Sequence, residues 1–280
     1  VSVAEIRALL ERHELRLHRD RGQNFLVDPA LADRLARSAG VGPGDTVIEI
    51  GTGLGILTRA LAARALRVVT VEVDAGLVRA LRAEGALPAN AELVHADALR
   101  LDLGALASAA PGPVRVVANL PYSSATPILR RLLDLRGRLE DWSVTLQREV
   151  ARRLLAPVGS RDYGSLSVLH QLCARARREL DLHPRCFFPA PRVTSSFLRI
   201  VPLRPDPLAA GELEAVERVA RAAFQQRRKT ASNALRAAGL GEEVEEALAE
   251  AGADPRARPA EIPPERYLAL ARRLRERAEG

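Results

Sequence analysis

The sequence predicts an α/β fold, a parallel sheet with helices on both faces, plus a small all-helical C-terminal domain. Three observations lead there. From about Thr46 to Gln171, short apolar, β-branched runs alternate with longer segments of helical period, the pattern of strands joined by crossover helices. Gly51, Gly53 and Gly55 follow the first of those runs directly, where a parallel strand ends and a ligand site begins. After Pro202, Pro205 and Pro207 the composition becomes helical throughout, which marks a domain boundary.

In chain order, Gly22–Asp28 reads as a loop whose Asp28 caps a helix beginning at Pro29. Strands are expected at Thr46–Ile50, Val68–Val73, Glu92–His95, Val114–Ala118 and Ser143–Leu146, with helices at Ile56–Arg64, Gly76–Ala83 and Thr126–Leu135 between them. Two further extended segments, Arg178–Leu182 and Ser195–Val201, bracket the turn Phe187-Phe188-Pro189-Ala190-Pro191. Glu212–Ala238, Glu242–Ala251 and Pro264–Arg277 carry the helical pattern of the C-terminal part. The expected division is therefore 1–203 and 204–280.

At 280 residues, 47% of them hydrophobic, the chain can bury a full core. The formal charge is +7, and Lys229 is the single lysine among the basic residues. Arginine binds phosphate in planar, bidentate fashion, so the excess fits a polyanionic partner, although solvated helix faces give the same composition. Cys173 and Cys186, the two cysteines, sit in no metal-ligand spacing, so neither zinc nor a disulfide is expected. No apolar run has membrane-spanning length and the N-terminus lacks the apolar stretch of a signal peptide, so a cytoplasmic protein without membrane contact is expected.

Glycines after the first strand let backbone approach a ligand closely. A dinucleotide fingerprint would require glycine at position 56, where Ile56 stands, so a nicotinamide oxidoreductase is disfavoured. Glu72 closes the second strand, where an acidic group accepts from ribose hydroxyls, and Asp97 follows the third, placed to accept from an adenine amino group with the Ala98 backbone reading the ring edge. Alone, either carboxylate is a surface or capping residue. At successive strand ends, with the glycine loop, they describe a nucleoside site. The fourth strand ends in Asn119-Leu120-Pro121-Tyr122. The Asn119 side-chain oxygen and the Leu120 or Pro121 carbonyl can take the two hydrogens of an adenine amino group and draw its nitrogen toward tetrahedral geometry. Tyr122 offers a ring face to a flipped-out base, a contact of roughly 1–3 kcal/mol. Phe187 is the expected second stacking surface with Phe188 in the core, the opposite assignment remaining open.

Several further segments carry a family likeness: Gly22-Gln23-Asn24-Phe25-Leu26-Val27-Asp28, Gln147-Arg148-Glu149-Val150-Ala151, Tyr163-Gly164-Ser165-Leu166-Ser167-Val168, Phe188-Pro189-Ala190-Pro191-Arg192-Val193 and Arg227-Arg228-Lys229-Thr230. With the glycine loop and Asn119–Tyr122, the chain resembles the small-subunit (16S) ribosomal RNA adenine N6,N6-dimethyltransferases, the family whose loss gives kasugamycin resistance. The resemblance implies a Rossmann-like class I methyltransferase sheet, with S-adenosylmethionine as donor, contacted at Asn24, Leu26, Gly51, Gly53, Glu72, Asp97 and Asn119, and no metal. It assigns Gly22–Asp28 to a lid over the methionine end of the donor. The implied product is dimethyladenosine at two adjacent adenines near the 3′ end of small-subunit rRNA; a monomer acting on an immature subunit is expected. Ser123-Ser124-Ala125 depart from the Asn-Ile-Ser usual after the tetrapeptide, which bears on contacts around the base.

Two basic clusters are candidate RNA contacts: Arg12, Arg16, Arg19 and Arg21 ahead of the lid, interspersed with His13 and His18, and a helix bearing Arg218, Arg221, Arg227, Arg228 and Lys229. Either can equally be a solvated face. The rival readings are a large-subunit (23S) rRNA adenine methyltransferase of the macrolide-resistance type and a ribosome-assembly factor acting mainly by binding. Tyr163–Val168, Leu120 and the Arg-Arg-Lys-Thr stretch favour the small-subunit branch over the first.

Overall fold

The computed structural model describes residues 3–15 and 23–279. After helix α1 (Val3–Arg12), strand β1 (Phe25–Leu26) pairs antiparallel with β8 (Phe187–Phe188), Phe25 opposite Phe188 and Leu26 opposite Phe187. Helix α2 (Pro29–Ser38) begins as expected: Asp28 Oδ1 accepts from the Ala30 N–H at 2.9 Å, Pro29 opens the first turn, and Leu31, Ala32, Leu35 and Ala36 face the core.

The main sheet has seven strands in the order β4-β3-β2-β5-β6-β9-β7. These are β2 (Thr46–Ile50), β3 (Arg67–Glu72), β4 (Ala91–His95), β5 (Val114–Asn119), β6 (Asp141–Gln147), β7 (Ala174–Leu182) and β9 (Ser195–Pro202). Strands β2 to β6 are parallel, and β9 runs antiparallel to β6 with Ser195 opposite Gln147. The chain builds outward from β2 through β3 to β4, then returns to lay β5 on the other side of β2. That reversal of direction places the carboxyl ends of β2 and β5 side by side, Ile50 in register with Ala118, where open α/β sheets form their crevice. Between these strands lie α3 (Ile56–Ala62), α4 (Ala75–Ala83), α5 (Leu103–Ala109) and α6 (Ala125–Asp134). The sequence pattern did not disclose α1 or α5; α5 is a seven-residue helix rich in Ala and started by the Asp102 side chain on the Ala105 N–H.

At the opposite, amino-terminal edge of the sheet sits a buried ion cluster. Asp141, 1% exposed, accepts at Oδ2 from Arg199 Nε and Nη2 at 2.9 and 2.6 Å and from Arg115, whose Nε also reaches Asp45 Oδ2 at 2.7 Å. Burial pushes the Asp141 carboxyl up, and the two guanidiniums oppose it.

The remaining helices are α7 (Arg148–Leu155), α8 (Ser165–Cys173), α9 (Glu212–Gln225), α10 (Ala231–Ala237), α11 (Val244–Glu250) and α12 (Pro264–Glu279). Two compact units result. One comprises the chain up to Arg148 and Arg177–Val201; the other comprises Glu149–Ala176 and the chain from Pro202 onward. The expected division at 203/204 lies close to the last crossing, but Glu149–Ala176 also joins the helical unit. The reason is aromatic packing. Tyr163 meets Phe224 edge-on at 5.9 Å and donates to the Ile262 carbonyl at 3.1 Å, while Phe224 stacks on Tyr267 at 6.0 Å. The helix expected over Glu212–Ala238 is two helices. The chain leaves α9 at Gln226 (φ −123°, ψ 61°), turns through Lys229 N–H to Gln226 C=O, and restarts α10 with Thr230 as its cap.

Candidate active site

A cavity of about 410 Å³ opens at the carboxyl ends of β2, β3, β4 and β5. Of the residues expected at a ligand site, Asn24, Leu26, Gly51, Gly53, Glu72, Asp97, Asn119, Leu120, Pro121 and Tyr122 all line it. Gly51 and Gly53 turn through positive φ, 89° and 55°, and a Cβ at Gly53 would stand 3.0 Å from the Phe25 ring. Only glycine fills these positions without strain.

Glu72, 6% exposed, clamps this loop. Its Oε2 accepts the Gly53 N–H at 2.9 Å, and its Oε1 accepts the N–H groups of Val73 and Asp74 at 3.0 Å each. Burial raises its pKa, and the N–H bonds, led by Asp74 and Gly53, pull it back. A carboxylate offers about four lone-pair positions, so three backbone donors leave about one acceptor position open on a side chain that lines the cavity. Asp97 is divided in the same way: Oδ1 accepts the Leu99 N–H at 2.8 Å, while the side chain remains 40% exposed.

Beneath the loop, Glu49 is fully buried. Its Oε2 accepts the hydroxyls of Thr58 and Thr70 at 2.6 Å each, and Thr70 is joined to cavity-lining Thr52 at 2.6 Å. Burial drives its pKa up to about 8, against the two threonine hydrogen bonds. Because the folded pKa lies above the unfolded one, the stability from this proton is full below about pH 4.5 and is lost as pH rises toward 8. Glu49→Gln should therefore flatten the fall in unfolding free energy between pH 5 and 8, by up to about 1.4 kcal/mol per pH unit. Denaturant titrations at several pH values read this directly, and an unchanged slope would mean Glu49 is ionised throughout.

The acceptor tetrapeptide is held at three points. Asn119 Nδ2 donates to the Asn24 carbonyl at 2.9 Å, an assignment that turns Oδ1 away from that carbonyl as an acceptor. The Pro121 carbonyl accepts both the N–H and the hydroxyl of Ser124, at 3.1 and 3.3 Å, so of the two candidate backbone acceptors Leu120 is the one left to the cavity. Tyr122, half-buried, shares a 2.7 Å hydrogen bond with Ser195, and burial raises its phenol pKa. Ser195 was not anticipated: it lies 73 residues away and outside every quoted motif.

Phe187 corrects an expectation. It is 4% exposed and packs with Leu26, Val117, Leu182 and Phe197, while Phe188 is the partly exposed ring, with the Arg7 guanidinium 5.6 Å from its centroid. Strand alternation in β8, registered on Leu26 and Phe25, decides which ring faces inward. Among the described residues, neither phenylalanine lines the cavity.

The basic clusters are partly used internally. Arg12 and His13 both meet Glu84, at 2.7 and 2.8 Å, and Arg16, Arg19, Arg21 and His18 lie outside the described residues. Arg221 pairs with Glu217. Arg227 stands on the turn after α9, not within a helix; it donates to the carbonyls of Arg161 and Tyr163 at 2.8 and 2.7 Å and stacks over Phe224. Arg228 and Lys229, on the same turn, are exposed. Among the described residues no helix is long and apolar enough to cross a membrane.

The ribosomal RNA adenine dimethylase family model matches residues 14–276. The ribosomal RNA small subunit methyltransferase A of Rhodospirillum rubrum is 44% identical over 269 residues, 95% of this chain and 91% of that protein. That of Moorella thermoacetica is 43% identical over 276 residues, covering 95% and 96%. Among solved structures, the 23S rRNA methyltransferase ErmE aligns with 90% of this chain and all of its own at 30% identity and a TM-score of 0.64. A dimethyladenosine transferase from Plasmodium falciparum, at 22% identity and a TM-score of 0.70, covers 88% of this chain and 95% of its own, and shares the fold. Since both the family model and these relatives run the length of the chain, the protein belongs to the ribosomal RNA adenine dimethylase family of S-adenosylmethionine-dependent methyltransferases.

Proposed function

We propose that this protein dimethylates the N6 amino groups of two adjacent adenosines in a hairpin loop near the 3′ end of 16S rRNA, acting as a cytoplasmic monomer on an immature small subunit. The observation that carries the reading is the side-by-side arrangement of the glycine loop and Asn119 at the reversal point of the sheet. A Cβ at Gly51 would lie 3.6 Å from the Asn119 carbonyl, so donor and acceptor pockets share one wall. The 43–44% identity to small-subunit methyltransferases favours that subunit over the large one.

S-adenosylmethionine supplies a methyl group already activated as a sulfonium. The open acceptor of Glu72 suits ribose hydroxyls, the exposed part of Asp97 an adenine amino group, and the backbone at Asn24, Leu26, Gly51 and Gly53 the amino-acid end and its surroundings. Asn119 Oδ1 and the Leu120 carbonyl take the two amino hydrogens of the target base, and Tyr122 stacks on its ring. Alignment then carries the rate, with no general base needed. Phe187 supports the lid strand from behind, through Leu26, in place of stacking on the base. Arg228 and Lys229, with Arg16, Arg19 and Arg21, are assigned to phosphates, and Arg227 to holding the loop at 161–163.

Glu72→Gln tests the donor site. The amide places an NH2 against backbone N–H donors, and an unsatisfied buried donor costs about 1–3 kcal/mol. The donor dissociation constant measured by calorimetry should rise about tenfold or more; an unaltered constant removes Glu72 from the ribose site. The function itself is tested with labelled S-adenosylmethionine and unmethylated small or large subunits, mapping the product by nuclease digestion and mass spectrometry. Dimethyladenosine at adjacent adenines of small-subunit RNA is expected. Label on the large subunit would overturn the subunit assignment, and tight subunit binding without label would favour an assembly factor.

A further inference from the structure

We propose that Ser195 is a positioning residue for methyl transfer, fixing the ring of Tyr122 through its hydroxyl. The inference rests on the reading of Tyr122 as the surface on which the target base stacks. Local sequence fixes the backbone of the acceptor motif: Pro121 has a restricted φ, and its carbonyl is tied to Ser124. Fixing the backbone does not by itself fix the two side-chain torsions of Tyr122. The hydroxyl end of the ring is instead fastened to Ser195 Oγ at 2.7 Å. Ser195 is a rigid anchor, with 0% exposure, the first residue of β9 and opposite Gln147 at the carboxyl end of β6. That end of β6 adjoins the acceptor strand, with Asn119 in register with Thr145. A buried hydroxyl needs a partner, and the sheet supplies one at the height where the ring must stand.

A preset ring matters because a flipped base must meet a face already oriented. With the tether cut, the ring samples other rotamers, and each binding event must first select the stacking one. The effect falls on base capture and alignment, not on the donor side of the site.

A mutant cycle tests this, using Ser195→Ala, Tyr122→Phe, the double variant and Tyr122→Ala. Methyl transfer to unmethylated small subunits gives kcat/KM. Stacking is read by fluorescence from subunits in which 2-aminopurine replaces a target adenine by splinted ligation. Ser195→Ala and Tyr122→Phe should each lower kcat/KM about fivefold, the scale of one neutral hydrogen bond, with weaker fluorescence quenching. The double variant should lose about the same fivefold and not the product of the two. Donor affinity and melting temperature should stay near those of the parent in Ser195→Ala. Multiplicative losses, or undiminished quenching in Ser195→Ala while Tyr122→Ala abolishes it, would overturn the role of Ser195. Full quenching in Tyr122→Ala would instead overturn the stacking role of Tyr122, and the proposal with it.

Discussion

Asn119→Ala is expected to slow methyl transfer by about a thousandfold, the scale seen when a single preorganised hydrogen-bonding group is removed from a reacting centre. The Asn119 side chain carries two duties. Its Nδ2 holds the Asn24 carbonyl, and in the proposed reaction its Oδ1 accepts a hydrogen from the amino group whose nitrogen attacks. Alanine removes both. The loss appears in single-turnover rates with donor and subunit saturating. Donor affinity should fall only several-fold, since Glu72, Asp97 and the glycine loop are untouched. Asn119→Asp separates the two duties: it keeps an acceptor for the amino group but cannot donate to the Asn24 carbonyl. Turnover of Asn119→Ala at the parental rate would remove Asn119 from the chemistry.

Asp141→Ala is expected to destabilise the sheet unit by about 3–5 kcal/mol, because removing one member of a buried ion cluster strands its partner. The stranded group is Arg199. Arg115 keeps Asp45 at 2.7 Å, whereas among the described residues both carboxylate bonds of Arg199 go to Asp141. A Cβ at Gly40 would come within 2.7 Å of the same guanidinium, so it is also hemmed in. This cluster lies at the strand starts and the active site at the strand ends. Methyl transfer measured below the new melting point should therefore be parental. Urea unfolding gives the stability change, and a loss under 1 kcal/mol would mean that Arg199 finds water or another anion.

The convergence of these residues on one cavity was legible in the sequence because a parallel sheet converts chain order into space. Each strand ends on the same edge, so Gly51, Glu72, Asp97 and Asn119, each placed by its own local pattern, had to converge there. Long-range pairings left no such trace. The bond of Tyr122 to Ser195 depends on β9 returning antiparallel beside β6, and that of Asn119 to Asn24 on where the segment around Asn24 settles. The exchange of Phe187 and Phe188 turned on a one-residue register in a two-residue strand. The helical periodicity across Glu212–Ala238 concealed a break, since Gln226 to Lys229 are all polar and fit a solvated helix face as well as a turn. Arg227 read as a phosphate ligand because nothing local betrays the carbonyls of Arg161 and Tyr163 that it serves.

On the proposed roles, the bond between Asn119 and the Asn24 carbonyl makes the two substrates speak to each other. Under that proposal, a segment at Asn24 ordered over the donor would hold the asparagine that receives the base, and a base held by that asparagine would steady the segment. Linkage makes such an effect reciprocal: the factor by which donor tightens RNA binding must equal the factor by which RNA tightens donor binding. For the proposed pair of methylations at one amino group, this coupling would favour a spent donor leaving while the Asn24 segment is loosened and a fresh one binding before the second transfer.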